Sequence, residues 1–186
     1  VGSEMCIRDS LRTYQLLSAP AFKHVRISGM GLDEHGEAMH KSKGNIIWPE
    51  PYLEKYGADA FRLWGASEAK LGSNYRFSTE RLEGCFRFLT KLWNVSRFIS
   101  SFPVEVENYS LTPTDRMILN ELYRLVVECE KGYEEMDFFI PANAIRGFVW
   151  NVFADHYVEA VKARAYNTDG SFHGEEQAGS WYTLHL

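Results

Sequence analysis

A short lysine-rich stretch is the part of this sequence best suited to chemistry. Residues 37–45 read Glu-Ala-Met-His-Lys-Ser-Lys-Gly-Asn, so Lys41 and Lys43 bracket Ser42, and Gly44 follows directly. Two ammonium groups, a hydroxyl and unhindered backbone N–H groups can converge on one polyanion, because glycine lets the backbone approach closely. The stretch predicts a phosphate-binding loop, while a solvated surface turn has the same composition.

The composition narrows the class of protein. The chain has 186 residues, a net charge of -5 and 45% hydrophobic residues, which is enough for a core in one moderate domain or two small ones. Its three cysteines are widely spaced and have no neighbouring histidine pattern, so neither a disulfide framework nor a zinc site is predicted. No apolar run reaches the roughly 20 residues of a membrane span. We expect a cytoplasmic protein with no metal site and no membrane-spanning segment.

The residues around the loop predict a small α/β region. Residues 1–10 lack periodicity and resemble a translated adapter sequence, so we expect native sequence from about Leu11. Residues 22–30 alternate apolar and polar side chains, which predicts a strand. After the loop, Pro49 favours the start of a short helix, Gly57 favours its end, and a second helix is expected to reach about Ala66.

Long amphipathic helices are predicted from residue 76 onward. They cover residues 78–100, about 115–134 and 142–166, with Thr114 or Asp115 capping the second, and a further helix begins near Glu175. Long helices with short connections indicate an antiparallel bundle. The chain is expected to be mainly α, with the end of an α/β domain over residues 11–75 and a helical bundle over residues 76–186. Arg146 lies on the apolar side of the third helix and is interpreted as a paired core residue rather than a ligand.

The first long helix has two faces when it is wound at about 100° per residue. Its expected core face is formed by Leu82, Cys85, Phe86, Leu89, Leu92, Trp93, Val95 and Ile99. The opposite face brings together Arg76, Arg87, Lys91 and Phe98, with Arg97 on its flank. This face is interpreted either as a solvated charged surface or as a track for a phosphodiester backbone. In the second interpretation the Phe98 ring, which has no predicted packing partner, stacks on an unpaired base.

The order of these features resembles the C-terminal half of a class I aminoacyl-tRNA synthetase. Residues 39–45 are similar to the family's K-M-S-K-S loop with its usual Gly-Asn, and residues 49–62 resemble the segment that follows it in the valine, isoleucine and leucine enzymes. Lys-Leu-Trp-Asn at residues 91–94 and Trp-Asn-Val-Phe-Ala-Asp-His-Tyr-Val-Glu at residues 150–159 favour the valine type. The resemblance implies the end of a Rossmann-type α/β catalytic domain followed by an anticodon-binding bundle.

The resemblance also implies an activity and gives roles to the loop. The parent enzyme would join valine to ATP, supplied with Mg2+, and transfer the aminoacyl group to tRNA(Val). The residues implied in catalysis are Lys41, Ser42 and Lys43, and those implied in ATP binding are Met39, His40, Lys41, Gly44 and Asn45. Ala38 stands where the family's first lysine is usual, so we hypothesise that Lys43 or His40 compensates for the missing cation.

In the bundle, the resemblance implies contacts with tRNA. Lys91, Arg97 and Phe98 are expected to meet anticodon bases, and Arg76 and Arg87 are expected to meet the backbone. No H-I-G-H motif occurs in these residues, so this chain alone is expected to be unable to activate an amino acid. Two alternatives stay open: an isoleucyl- or leucyl-tRNA synthetase, and a free-standing helical tRNA-binding or interaction module without catalysis.

Overall fold

The computed structural model of the protein describes the backbone of residues 2–186 and the side chains of residues 6–186. The chain separates into two compact units, one containing residues up to 47 together with 68–77, and the other containing residues 48–67 and 78–186. Val1, the first residue of the expected non-native segment, lies outside the described residues. None of the described helices is long and apolar enough to cross a membrane.

The first unit contains one helix and a pair of very short strands. Its elements are α1 (Gly2–Leu17), β1 (Gly31–Leu32), a 3-10 turn (Lys41–Lys43) and β2 (Tyr75–Arg76). The two strands are parallel, with Gly31 opposite Tyr75 and Leu32 opposite Arg76. Leu32 also forms an isolated antiparallel bridge with Ala38. These pairings tie the start of the lysine stretch to β1.

The predicted strand over residues 22–30 is wrong. Within the described residues, this segment forms only an isolated bridge at Ser28, and the paired strand begins one residue beyond the predicted end, at Gly31. Val25 and Ile27, the apolar residues of the predicted alternation, are 52% and 57% exposed. An alternating pattern specifies a strand where one face can be buried, and here the apolar side chains have no buried face to line.

The second unit is a helical bundle, which confirms the predicted fold class. Its helices are α2 (Glu50–Glu68), α3 (Thr79–Ile99), α4 (Pro113–Glu134), α5 (Phe139–Gly147), α6 (Glu159–Tyr166) and α7 (Gly174–His185). A π-helical segment, Phe148–Val158, joins α5 to α6 without a break. The predicted third long helix is therefore present, but it begins three residues earlier, with Pro141 inside its first turn.

Side-chain caps fix where α3 and α4 begin. Ser78 precedes α3 and its hydroxyl accepts a hydrogen bond from the Arg81 N–H at 3.3 Å. The predicted cap of α4 at Thr114 or Asp115 is wrong, because Thr112 is the N-cap residue. Thr112 and Asp115 form a reciprocal capping box around Pro113, whose missing N–H suits the first helical position.

The core of the bundle lies among α3, α4, the π-helical segment, α6 and α7. It contains Phe102, Ile118, Tyr157, Val158, Val161, Ala165 and Leu184. The predicted core face of α3 is only partly correct. Leu82, Cys85 and the unpredicted Phe88 are buried, whereas Phe86, Leu92 and Trp93 are 42%, 37% and 68% exposed. The helix is rotated from the predicted orientation: Phe88 packs against Trp150 and Phe98 packs on the core, and neither was placed on the predicted core face.

A buried ion pair connects three parts of the bundle. The Arg164 guanidinium donates to both carboxylate oxygens of Asp115, and Tyr157 donates its hydroxyl hydrogen to the same carboxylate at 2.7 Å. Burial alone would raise the pKa of Asp115, but the hydrogen bonds from Arg164, Tyr157 and Thr112 outweigh it and lower the pKa. Burial, followed by the bond to Asp115, raises the pKa of Tyr157. The network holds Asp115 ionised and Tyr157 protonated.

Asp115→Asn is expected to lower the free energy of unfolding by about 3–5 kcal/mol at neutral pH, because the Arg164 charge would stay buried without its partner. Urea unfolding followed by circular dichroism measures this. As a control, Glu121→Gln removes an exposed partner of Arg124, and its cost is expected to stay within about 1 kcal/mol.

The pH dependence of the same variant tests the ionisation of Asp115. Since the folded-state pKa is lowered, the carboxylate stabilises the fold fully above its unfolded pKa of about 3.9, and this contribution is lost as the pH falls through the folded pKa. Asp115→Asn should therefore lose less stability on acidification than the wild type. Parallel stability curves below about pH 4 would contradict the network.

Two glycines in α2 offer a matched test of backbone geometry. Gly57 has φ 81° and ψ 160°, a conformation that interrupts the helix and that side chains with a Cβ avoid. Gly65 lies in the same helix, and an added Cβ there would meet open space. Gly57→Ala is expected to destabilise the protein by about 1–3 kcal/mol, whereas Gly65→Ala should stabilise it by about 0.5–1 kcal/mol. Thermal and urea unfolding distinguish the two, and shifts of the same sign would contradict the predicted break.

Candidate functional site

The lysine stretch folds as one tight turn. Lys41–Lys43 is a single 3-10 turn, preceded by His40 in an extended conformation. Gly44 ends it with φ 69° and ψ 12°, a left-handed conformation that favours glycine, and its N–H donates to the Lys41 carbonyl. The side chains of Lys41, Ser42 and Lys43 are all exposed. The turn therefore presents two ammonium groups and a hydroxyl to solvent over three consecutive residues.

Asn45 holds both ends of this turn. Its side-chain oxygen accepts the His40 N–H at 2.9 Å, and its amide nitrogen donates to the Ala38 carbonyl at 3.1 Å. The same nitrogen donates to an Asp33 carboxylate oxygen at 2.8 Å. One amide side chain thus closes residues 38–45 into a loop, and we call this arrangement the Asn45 clamp.

Asp33 anchors the clamp to the strand region. Its second carboxylate oxygen accepts the N–H groups of His35 and Glu37, each at 2.9 Å. The hydrogen bond from Asn45 and the backbone hydrogen bonds lower the pKa of Asp33, so the anchor is ionised near neutral pH. Asp33 was not among the residues that the sequence singled out as part of the loop.

The two lysines of the turn differ in their partners. Lys43 Nζ lies 3.3 Å from Glu37 Oε2, and both side chains are more than half exposed. Such a pair contributes about 0–1 kcal/mol, so Lys43 can exchange Glu37 for a phosphate at little cost. Within the described part of the chain, Lys41 has neither a hydrogen bond nor an ion pair from its ammonium group. Lys41 is therefore the more available cation.

Met39, His40 and Asn45, which are also predicted to bind ATP, make contacts within the loop region of this structure. Met39 is half-buried, and its terminal methyl group lies where a side chain at Gly31 would stand, at 2.8 Å from a Cβ built on that glycine. The His40 N–H is bound by Asn45, while its imidazole is exposed. ATP binding by these residues stays a prediction. Asn45 has an observed structural role, because its side chain closes the loop.

The basic face of α3 is less free than the sequence suggested. Lys91 Nζ forms an ion pair with Asp155 and lies 4.2 Å from the centre of the Trp150 ring. Arg87 forms an exposed ion pair with Glu83 at 2.6 Å. Arg97 is exposed and, within the described residues, its guanidinium has no hydrogen bond or ion pair. Sequence reasoning missed Asp155, although it lies inside the Trp-Asn-Val-Phe-Ala-Asp tract that carried the resemblance.

The interpretation of Phe98 as a ring without packing partners is wrong. Its ring makes edge contacts with Phe102 at 5.0 Å and Tyr166 at 6.0 Å between centroids. Phe98 is half-buried and packs on the core of the bundle, and Lys162 Nζ lies 5.9 Å from its ring centre. The rotation of α3 that buries Phe88 also turns Phe98 towards the core. Its stacking on a base stays a prediction.

Arg76 does not belong to the face on which the sequence placed it. It ends β2, in the unit formed by residues up to 47 and 68–77, whereas the other four residues lie in the bundle. Its guanidinium donates to the carbonyl of Glu34. The helical winding that grouped Arg76 with Arg87 fails because α3 begins only at Thr79.

A shallow concavity of about 410 Å³ follows the predicted face of α3. Its charged lining includes Arg87, Lys91, Asp155, Glu159 and Lys162. Lys162 pairs with Glu159, as Lys91 pairs with Asp155. The lining therefore carries alternating charges with a small positive excess, and Lys162 is a cation that sequence reasoning did not assign to this face.

The interpretation of Arg146 as a paired core residue is also wrong. Arg146 is half-buried, and among the described residues it forms no ion pair. One guanidinium nitrogen lies 4.0 Å from the sulfur of Cys85, which is a weak acceptor. Among the described side chains, no group of three or more His, Cys, Asp or Glu could hold a metal ion.

Two family models match the chain. One is described as tRNA synthetases class I (I, L, M and V) and matches residues 7–78. The other is described as the anticodon-binding domain of tRNA ligase and matches residues 115–185. The first match contains the lysine turn and the Asn45 clamp, and the second contains the ion-pair network and Arg146.

Curated relatives agree with the family models. The chain is 48% identical over 175 residues to the valine–tRNA ligase of Pyrobaculum aerophilum, and 49% identical over 178 residues to that of Aeropyrum pernix. Each match covers 94% of this chain and 22% of the relative. The valine–tRNA ligase of Nanoarchaeum equitans is 43% identical over 87% of this chain. The chain thus spans about a fifth of the length of the curated relatives it matches.

A solved structure supports the fold. The ternary complex of Agrobacterium radiobacter K84 agnB2 LeuRS with tRNA and LeuAMS superposes with a TM-score of 0.61 at 20% identity, covering 96% of this chain and 23% of that chain. At that identity the likeness concerns the fold alone. The two family models and the valine–tRNA ligase relatives lead to one conclusion: the chain belongs to the class I aminoacyl-tRNA synthetase family.

Proposed function

We propose that this chain is the K-M-S-K-S-loop and anticodon-bundle segment of an enzyme that activates valine with ATP and transfers it to tRNA(Val). The observation that carries the proposal is the clamped lysine turn, in which Lys41 is exposed and its ammonium group is bound to no other described residue. The high identity to three valine–tRNA ligases supports valine over isoleucine and leucine. The three free cysteines support a cytoplasmic location.

The loop's proposed work is electrostatic. Negative charge grows on the pyrophosphate as it leaves ATP, and cations fixed beforehand stabilise that charge more in the transition state than in the ground state. The Asn45 clamp fixes the backbone near Lys41, so little backbone freedom of the loop remains to be lost when ATP binds. Mg2+ would enter with the triphosphate as part of the substrate.

Compensation for Ala38 falls to Lys43 rather than His40. Lys43 lies in the turn, and its exposed ion pair with Glu37 exchanges easily, so Lys43 can supply a second ammonium group to the phosphates. The backbone N–H of His40 is already bound by the Asn45 side chain, so it is not free to bind a phosphate. Ser42 and the backbone around Gly44 add hydrogen-bond donors to the same turn.

The bundle is proposed to hold the anticodon arm of the tRNA. The match of residues 115–185 to an anticodon-binding model supports this, as do the exposed Arg97 and the concavity along α3. The free-standing interaction module is disfavoured, because one match to a valine–tRNA ligase covers 94% of this chain, which includes residues of both the lysine turn and the bundle. A synthetase segment predicts that the lysine turn affects amino-acid activation, whereas an interaction module predicts no such effect.

Lys41→Ala is expected to reduce amino-acid activation by about 10²–10³-fold, with Lys43→Ala giving a smaller loss, because one fixed transition-state contact is worth that much. The measurement is valine-dependent ATP–pyrophosphate exchange by a chimaera in which this chain replaces the matching segment of the Aeropyrum pernix enzyme. Lys55→Ala is the control, since Lys55 lies in α2 outside the turn. Unchanged exchange by Lys41→Ala would contradict the proposed role, and exchange with leucine but not valine would contradict the specificity.

Arg97→Ala is expected to raise the Kd for tRNA(Val) by about tenfold in the same chimaera while leaving ATP–pyrophosphate exchange unchanged, because Arg97 is exposed in the bundle and has no ion pair with a described residue. Arg124→Ala provides a control of equal charge change on α4. Arg97 is a cleaner test than Phe98, whose removal would also disturb the aromatic cluster. Equal losses in tRNA binding and exchange would indicate a folding defect and count against the assignment.

A further inference from the structure

A second concavity in the bundle is lined by two arginines and, among the described residues, by no acidic side chain. Its volume is about 460 Å³, and its lining includes Gly84, Arg87, Asn143, Arg146, Trp150 and Asn151. These residues come from α3, α5 and the π-helical segment. The volume falls within the range of about 300–1,000 Å³ that is typical of ligand sites.

Arg146 is the cation that this concavity leaves uncompensated. Arg146 is half-buried, and among the described residues its guanidinium has no hydrogen-bond acceptor other than the Cys85 sulfur, at 4.0 Å. A guanidinium carries five N–H donors in a fixed fork, and a thiol satisfies almost none of that capacity. The remaining donors of this half-buried arginine, which has no carboxylate partner among the described residues, are left to water or to an external anion.

Gly84 makes room for this guanidinium. A Cβ built on Gly84 would lie 3.2 Å from one terminal nitrogen of Arg146, tighter than ordinary contact. The glycine occurs in the interior of α3, where it lowers helix stability by about 0.5–1 kcal/mol relative to alanine. The backbone of α3 is therefore bare at the point where the arginine head group lies.

The charge balance distinguishes this concavity from the one along the predicted basic face. There, Lys91 and Lys162 are each neutralised by an acidic partner that also lines the surface. Here, the one ion pair involves Arg87, and its partner Glu83 does not line the concavity. Arg87 borders both concavities, so the uncompensated charge extends the basic surface towards Arg146.

We propose that Arg146 binds a backbone phosphate of the tRNA anticodon arm, with the exposed amide of Asn151 beside it as a further donor. This inference rests on the proposed function, since RNA is the polyanion that the bundle is proposed to hold. The fork of Arg146 suits a phosphate bidentately. Base stacking is not part of the site, because the Trp150 ring already packs against Phe88 and lies under Lys91. The contact is therefore independent of RNA sequence.

The test is the salt dependence of RNA binding by the full chain. Fluorescence anisotropy with labelled tRNA(Val) and a non-cognate tRNA, from about 50 to about 200 mM KCl, gives the slope of log Kd against log salt. Arg146→Ala should weaken binding by about tenfold for both RNAs and make the slope shallower by about one, as expected when one phosphate contact is lost. Arg146→Lys should restore most of the slope. Arg124→Ala, which removes the same charge elsewhere, should change neither value as much.

Gly84→Leu keeps every charge and tests the geometry, because its side chain would displace the guanidinium. Gly84→Leu should weaken RNA binding as Arg146→Ala does. If circular dichroism shows that Arg146→Ala does not fold, Gly84→Leu serves as the test of the site. Binding by Arg146→Ala or Gly84→Leu that matches Arg124→Ala in Kd and slope overturns the site while leaving the proposed function standing. A wild-type chain that binds neither tRNA overturns the proposed role of the bundle itself.

Discussion

The buried carboxylate of Asp115 is the interaction on which the bundle depends. It caps the start of α4 through Thr112, accepts the Tyr157 hydroxyl from the π-helical segment and pairs with Arg164 of α6. Burying two charges is expensive, and the cost is offset here because each carboxylate oxygen has several donors. One carboxylate therefore sets the position of the helix that carries residues 148–166 relative to α4. The position of that helix in turn determines where its surface residues lie.

Those surfaces explain why two concavities of similar size differ in charge. Asp155 and Glu159 are four residues apart on one helix and therefore share a face. Asp155 pairs with Lys91 of the neighbouring α3, and Glu159 pairs with Lys162 on its own helix. Arg146 lies further towards the N-terminus of the same continuous helix, where the neighbouring lining residues are asparagine, glycine and tryptophan. Its charge is consequently left for a ligand. A basic helix face can be inert where its charges are paired, while an isolated arginine in a polar recess is available.

The sequence predicted the bundle well because helical period, caps and breakers are local signals. Ser78 caps α3, Gly57 interrupts α2, and the last helix begins at Gly174. The strand over residues 22–30 failed because alternation does not specify a pairing partner, and β1 pairs through only two residues. The orientation of α3 failed because helical winding ranks faces by hydrophobicity, whereas the Phe88 contact with Trp150 depends on a helix more than 60 residues away. The loop was recognised by its composition, but its clamp through Asn45 required the fold.

That clamp has a consequence for how the loop can work. Asn45 is neutral, so it orders residues 38–45 by hydrogen bonds without neutralising either lysine. An aspartate in its place would lack the donor that reaches the Ala38 carbonyl and would bring a second negative charge next to Asp33. It would also attract the ammonium groups that a triphosphate needs. The negative charge of the anchor is instead kept at Asp33, where backbone N–H groups and the Asn45 amide satisfy it. Rigidity and free cationic charge are thereby supplied by different side chains in the same turn.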